Sequence, residues 1–232
     1  MTGDQQKIRD AALERRISRL CHFTQSRKLS HILSDLDGVW ATARLKEKVP
    51  DLLDQTDNMR LDGHLDHICC SVEYPNTWYL SKIRDNDPLF KDWVIVFLNP
   101  ALLWRDRTLF SPRNAAANTG TLIQGGYGGF SHLFAPSLVG AGGRTFSRTA
   151  QMLPCCPTDD QAEVLVYEHI QRSDILGVGV LSETQARTEK LRLSFIPSAT
   201  NPDFYIAPEI FTGRWSSLIR RGQRPKEVVF SE

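Results

Sequence analysis

The run Gln161-Ala162-Glu163-Val164-Leu165-Val166-Tyr167 restricts this chain more than any other stretch. Val164, Leu165, Val166 and Tyr167 have strong strand preferences and require burial. Side chains alternate across a strand with a period of two, so Gln161 and Glu163 are expected to share one face. A Gln-x-Glu pair is thereby aimed into one space, at the start of a segment that is otherwise apolar. The competing account of Glu163 is an exposed carboxylate at a strand end.

Further strand candidates fall at 67–74, 93–98, 176–182 and 190–196, with the Glu163 strand spanning 162–169; each is rich in Val, Ile, Leu, Phe or Tyr and bounded by turn formers. Residues 4–20 have high helix propensity and predict an amphipathic N-terminal helix that packs or caps. Leu29, Ile32, Leu33 and Leu36 follow the i, i+3, i+4, i+7 pattern, with Ser26 as N-cap. Pro50 and Asp51 open a helix over about 50–59, and Asn99-Pro100 starts a helical turn. Strands and helices mix without regular βαβ alternation, which gives an α+β fold.

Eight of the fifteen glycines fall between 120 and 143. Such a stretch loses much entropy on ordering, so about 119–143 is expected to be a mobile surface loop, either a lid over substrate or an insertion without ligand contact.

The length of 232 residues fits one domain, residues 1–232, and 41% hydrophobic with 24% charged residues argues against a disordered or fibrous chain. No apolar stretch approaches the roughly 20 residues that cross a bilayer, and the N-terminus lacks a secretory apolar core, so a cytoplasmic location without membrane contact is expected. The net charge of +1 announces no polyanionic partner, leaving any nucleic-acid site to local clustering. Arginines cluster at 105, 107 and 113, at 144 and 148, and in a basic C-terminal tail over about 212–232. Five cysteines include the adjacent pairs Cys69-Cys70 and Cys155-Cys156 but no C-x-x-C spacing, which predicts reduced structural thiols and no metal.

Four runs appear in sequence: His22-Phe23-Thr24; Arg60-Leu61-Asp62-Gly63 leading into His67-Ile-Cys-Cys-Ser-Val72; Asp92-Trp-Val-Ile-Val96 followed by Asn114-Ala-Ala116; and Pro157-Thr-Asp-Asp-Gln-Ala-Glu-Val-Leu-Val166. In order and approximate spacing they resemble the DarT family over roughly residues 20–183. The resemblance implies a split, two-sheet core and transfer of ADP-ribose from NAD to a base of single-stranded DNA. It also implies a toxin neutralised by a macrodomain protein. Ser71-Val-Glu-Tyr-Pro-Asn76 and the Trp93–Trp104 segment look more like the guanine-modifying branch than the thymine-modifying one. By match, Arg60 is the NAD-clamping or transition-state-stabilising residue, His22 and Thr24, flanking Phe23, hold the cofactor, and Asn114 lies near it.

The chemistry suits the residues. Nicotinamide departs from a cationic glycosidic bond through an oxocarbenium-like transition state, so the protein must hold NAD, stabilise charge and place a nucleophile. Glu163 could hold a ribose hydroxyl and accept the proton lost by the attacked base nitrogen. Arg60 could pair bidentately with the diphosphate, although a turn salt bridge with Asp57 or Asp62 competes. Gln161 could hydrogen-bond the incoming base or cap the strand end, and a core histidine and a turn cap are the rival accounts of His22 and Asn114. For the strand itself, Tyr127, Phe130 and Phe134 with Arg144 and Arg148 have the composition of a stacking surface. No G-x-G-x-x-G opens a helix after a strand, and P-loop, G-x-S-x-G and H-E-x-x-H runs are absent, so NAD would be consumed and not reduced. Transfer to RNA or protein, and a catalytically silent binding module, are the rival functions.

Overall fold

The computed structural model describes residues 1–34, 36–48, 62–87, 89–140 and 143–231. Arg60 and the helix expected over 50–59 lie outside the described residues. The elements in chain order are α1 (Gly3–Glu14), β1 (Leu20–Gln25), α2 (Leu29–Leu33), β2 (Gly38–Trp40), α3 (Thr42–Lys48), β3 (His67–Val72), α4 (Thr77–Asn86), β4 (Trp93–Leu98), β5 (Leu109–Ser111) and β6 (Gln124–Gly125). They continue with α5 (Gly126–His132), β7 (Ser137–Val139), β8 (Thr145–Ser147), β9 (Glu163–Tyr167), β10 (His169–Gln171), β11 (Ile175–Val180), α6 (Glu183–Ser194), β12 (Phe204–Ile206), α7 (Arg214–Ile219) and β13 (Val228–Val229). This is the α+β class expected from the sequence.

Among the described residues nine strands form one sheet in the order β13-β12-β11-β4-β1-β3-β9-β5-β6; β10 with β2 and β7 with β8 form separate ribbons. Strand β4 lies between β1 and β11 and is buried at every position, on both faces of the sheet, which explains its unbroken apolar run. The sheet is nearly cut in two at its middle. β1 pairs with β4 along its whole length, Leu20 to Gln25, but with β3 only through Leu20–Val72 and Cys21–Ser71. β3, in turn, pairs with β9 from His67 to Cys70. Beyond Cys21 the two strands part, so the expected split core is one sheet with a narrow joint.

Several expectations fail for identifiable reasons. The strand expected at 190–196 is the second half of α6. Ser182 caps that helix by accepting from the Gln185 N–H at 3.2 Å, and Ala186, Glu189 and Leu193 are buried at helical spacing. β11 and β12 are parallel, and parallel neighbours need such a crossover. α1 ends at Glu14, short of residue 20, where Arg16 takes a φ of 58° and turns the chain into β1. The strand expected over 162–169 breaks at Glu168, φ 55°, so that β10 can leave the main sheet and pair with β2. Ser26 opens a short 3-10 turn without a side-chain cap, and α2 stops at Leu33. Asn99 behaves as expected, accepting from the Ala101 N–H at 2.9 Å.

The glycine-rich segment is not a bare loop. Gly126, at φ 69°, starts α5, and Phe130, Leu133 and Phe134 are buried. Phe130 meets Phe110 of β5 edge-on at 5.6 Å and Phe134 at 5.4 Å, so neither phenylalanine is available to stack on a base. The C-terminal stretch is likewise folded: Trp215, Ile219 and Phe230 join the core, and Arg220 pairs with Asp160 at 3.0 Å. The five cysteines are reduced, none of them joined in a disulfide among the described residues, with burial pushing Cys21 up to about 12. Among the described residues no helix is long and apolar enough to cross a membrane.

Phe130→Ala is expected to cost about 3–5 kcal/mol in urea unfolding, the usual result of emptying an aromatic core site. A change within about 0.5 kcal/mol would mean that the segment is a surface loop after all.

Candidate active site

Glu163 is the first residue of β9 and is only 8% exposed. Its position follows from the turn before it. Asp159 accepts from the Gln161 N–H through Oδ1 at 2.9 Å and from the Ala162 N–H through its backbone oxygen at 3.0 Å, and Thr158 is tied to the Ala135 carbonyl through Oγ1 at 2.6 Å. The polar run Pro157–Gln161 is therefore a tight Asx turn that launches the strand. Gln161 sits in that turn, half-buried, and not on the strand; the two-residue period that was expected to put it beside Glu163 does not apply there.

Antiparallel pairing sets the residues around the carboxylate. Ser111 of β5 lies opposite Glu163, and extending the Cys70–Val164 register by one places Ser71 of β3 on its other side. Ser71 Oγ accepts from the Asn76 N–H at 3.2 Å, which seats the start of α4 over this row. Asn76 then does two things with one amide. Its Oδ1 accepts from the Tyr79 N–H at 3.1 Å, capping α4, so Nδ2 has to be the end that donates to Glu163 Oε1 at 3.4 Å. Asn114 repeats the device from the loop after β5. Its Oδ1 accepts from the Ala116 N–H at 3.0 Å, and its Nδ2 donates to Glu163 Oε1 at 3.5 Å. The Ala115 N–H donates to Oε2 at 3.2 Å. Both amide orientations are thus dictated by backbone donors, and three N–H groups converge on one carboxylate. The contacts are long, at 3.4, 3.5 and 3.2 Å. The Ser111 hydroxyl is fully buried in the same row and has no hydrogen-bond partner among the described residues.

His22 stands where β1 and β3 part. A carbonyl can only accept, so its Nδ1 carries the proton and donates to the Cys69 carbonyl at 2.9 Å, bridging the two strands past the end of their ladder. Phe23 packs against Tyr79 of α4 at 6.2 Å and Trp93 at 6.1 Å, and Thr24 is buried. The chain thus links His22–Thr24, at the parting of the sheet, through Phe23 and Tyr79 to the Asn76 amide and Glu163.

The expected strand-binding residues are dispersed. Arg148 donates to the Cys156 carbonyl at 2.6 Å and the Leu153 carbonyl at 3.1 Å, with burial lowering its pKa, so it is committed to structure. Arg144 is exposed beside the β7–β8 ribbon, 5.3 Å from the Phe146 ring, and Tyr127 is partly exposed at the start of α5. Asn76, Ser111 and Ala115 were not expected from sequence; Asn76 carries only the signal of a helix cap after Pro75. His64, Asp66 and His67 bring possible ligand atoms within 4.8 Å of one another, but both His67 nitrogens are engaged, by Asp66 at 2.7 Å and the Arg107 carbonyl at 3.1 Å.

The mixed sheet is parted near its centre, with a histidine bridging the parting and a glutamate at a neighbouring strand start, and by the matches that follow this is the DarT ADP-ribosyltransferase fold. The family model described as "ssDNA thymidine ADP-ribosyltransferase, DarT" matches residues 21–212, and the chain belongs to that family, whose members use NAD as co-substrate. Among solved structures, Thermus sp. 2.9 DarT in complex with NAD+ is similar at 12% identity with a TM-score of 0.57, covering 84% of this chain and 98% of that one. The same protein in complex with ADP-ribosylated ssDNA is similar at 13% identity with a TM-score of 0.55, covering 85% and 97%. Thermosipho africanus DarTG in complex with ADP-ribose is similar at 15% identity and 0.53, covering 84% of this chain but 51% of that one, so the chain spans about half the length of that relative. Among curated proteins no sequence matches.

Burial holds the Asp159 carboxyl above its ordinary pKa of 3.8. The folded state therefore binds this proton more tightly than the unfolded chain, so Asp159 makes stability fall as pH rises from the ordinary value through the raised one. Asp159→Asn keeps an acceptor for the Gln161 N–H. Its melting temperature is expected to equal or exceed that of the unsubstituted chain at pH 7, with the advantage gone below the ordinary carboxylate range. A variant that melts lower at pH 7 and recovers in acid would reverse the assigned sign.

Proposed function

We propose that this chain transfers ADP-ribose from NAD to a base nitrogen of single-stranded DNA, with Glu163 as the catalytic carboxylate. The observation that carries the reading is the cradle at Glu163: a nearly buried carboxylate whose two oxygens are oriented by two asparagine amides and one backbone N–H. Such a group hydrogen-bonds a hydroxyl of the nicotinamide ribose, favours the developing positive charge on the sugar and takes the proton released by the attacking nitrogen. Asn114 and Asn76 position it. His22 and Thr24, with Phe23 between them, lie where the parted strands would grip the nicotinamide end, and Arg60 is assigned to the diphosphate by its match to the family's arginine. Gln161 is assigned to the incoming base, with Tyr127 and Arg144 at the outer surface. An extrahelical base is needed to reach so recessed a carboxylate, which accounts for a single-stranded substrate.

Guanine is the favoured acceptor, on the resemblance of Ser71–Asn76 and the Trp93–Trp104 segment to that branch. Thymine is the second reading, favoured by the match to a family of ssDNA thymidine ADP-ribosyltransferases. Residues 1–232 act as one transferase unit, and the protein is read as a cytoplasmic toxin paired with a macrodomain protein that removes the modification.

Incubation with NAD and four single-stranded oligonucleotides, each lacking one base, tests this by mass. Only the oligonucleotide without guanine is expected to escape the gain of ADP-ribose. Escape of only the thymine-free strand selects the second reading, and no gain on any strand refutes DNA transfer. Glu163→Gln is expected to lower turnover at least a hundredfold while the chain remains folded by circular dichroism, since loss of one well-placed charge-stabilising group costs about that much. Undiminished turnover would remove Glu163 from the chemistry.

A further inference from the structure

We propose that Trp78, backed by Lys82, is a stacking platform for an unpaired base of the acceptor strand next to the one being modified. The inference rests on the single-stranded DNA reading above. Trp78 belongs to the first turn of α4 and is 62% exposed, whereas its neighbours Thr77 and Leu80 are buried. A tryptophan left in water forgoes the burial that normally justifies its size. Its place in the fold supplies the reason. Asn76, two residues earlier, caps α4 and donates to Glu163 Oε1, so the indole is held on the same turn of chain that contacts the carboxylate.

That turn is rigid. The Trp215 indole N–H donates to Thr77 Oγ1 at 3.2 Å, and Tyr79 packs on Phe23 at 6.2 Å. Trp78 therefore differs from Tyr79: the tyrosine ring packs on Phe23 of β1, whereas most of the indole is exposed to solvent. The charge complement is present as well. Lys82, one helical turn on, puts Nζ 5.8 Å from the Trp78 ring centre, within cation–π range and free of any carboxylate partner among the described residues. A stacked base brings a phosphate with it, and an aromatic face flanked by a cation is the combination that holds single strands with little regard to sequence. The platform binds a neighbouring nucleotide while Glu163 faces the reacting one, which would give the enzyme affinity for the strand without constraining the target base.

Steady-state transfer by the full chain to a mixed-sequence single-stranded 20-mer at saturating NAD tests the assignment. Trp78→Ala is expected to raise KM for the oligonucleotide about tenfold, the size of one base–aromatic stack, with little change in kcat, and Trp78→Phe to restore most of the loss. Lys82→Ala is expected to weaken the salt dependence of oligonucleotide affinity. An oligonucleotide KM for Trp78→Ala equal to that of the unsubstituted chain, while that chain still modifies the 20-mer, overturns the platform and leaves the transferase reading standing. A loss in kcat that Trp78→Phe does not rescue also overturns it, in favour of a structural role. Failure of the unsubstituted chain to modify or bind the 20-mer overturns both readings.

Discussion

Everything in the site depends on keeping one carboxylate oriented at the start of a buried strand. Glu163 cannot be solvated freely there, and a buried charge without partners would be costly. The fold answers with donors whose direction is enforced by their other bonds. Asn76 must present Nδ2 because its Oδ1 caps α4, and Asn114 must do the same because its Oδ1 receives the Ala116 N–H. Neither amide can rotate without leaving a backbone donor unsatisfied. The carboxylate is therefore fixed by the secondary structure on either side of it, through a helix start and a strand-end loop.

The second constraint is the narrow joint between β1 and β3. Two register pairs hold the halves of the sheet together, and His22 bridges to the Cys69 carbonyl as the strands diverge. The divergence brings a histidine, the β1 backbone and the Asn76–Glu163 pair to one region while the rest of the sheet stays paired. β4 and β11 on one side, and β9 and β5 on the other, carry the buried apolar strands that keep this parting from spreading.

Much of this was legible in the chain. Val164–Tyr167 announces a buried strand, Trp93–Leu98 announces the central one, and Glu163 opens the first of these, as the residue pattern predicts. What was not legible has physical causes. Lys190-Leu-Arg-Leu-Ser-Phe195 alternates like a strand, yet Leu191 and Phe195 are exposed and only Leu193 is buried, on the helical spacing that starts at Ala186. The glycines around Tyr127 masked Phe130, Leu133 and Phe134, whose three- and four-residue spacing is that of a packed helix. Gln161 was misplaced because the Asp159 turn ends one residue before the strand begins. Asn76 could be read only as a cap, since its second contact crosses to a residue far along the chain.

The most direct measurement is a crystal structure of the Glu163→Gln variant soaked with NAD, in which slow turnover preserves the dinucleotide. The account predicts a nicotinamide ribose hydroxyl within hydrogen-bonding reach of the side chain at 163, flanked by Asn76 and Asn114, with the nicotinamide at the parting of β1 and β3 near His22. A dinucleotide bound elsewhere, or one whose ribose faces away from that side chain, would contradict it.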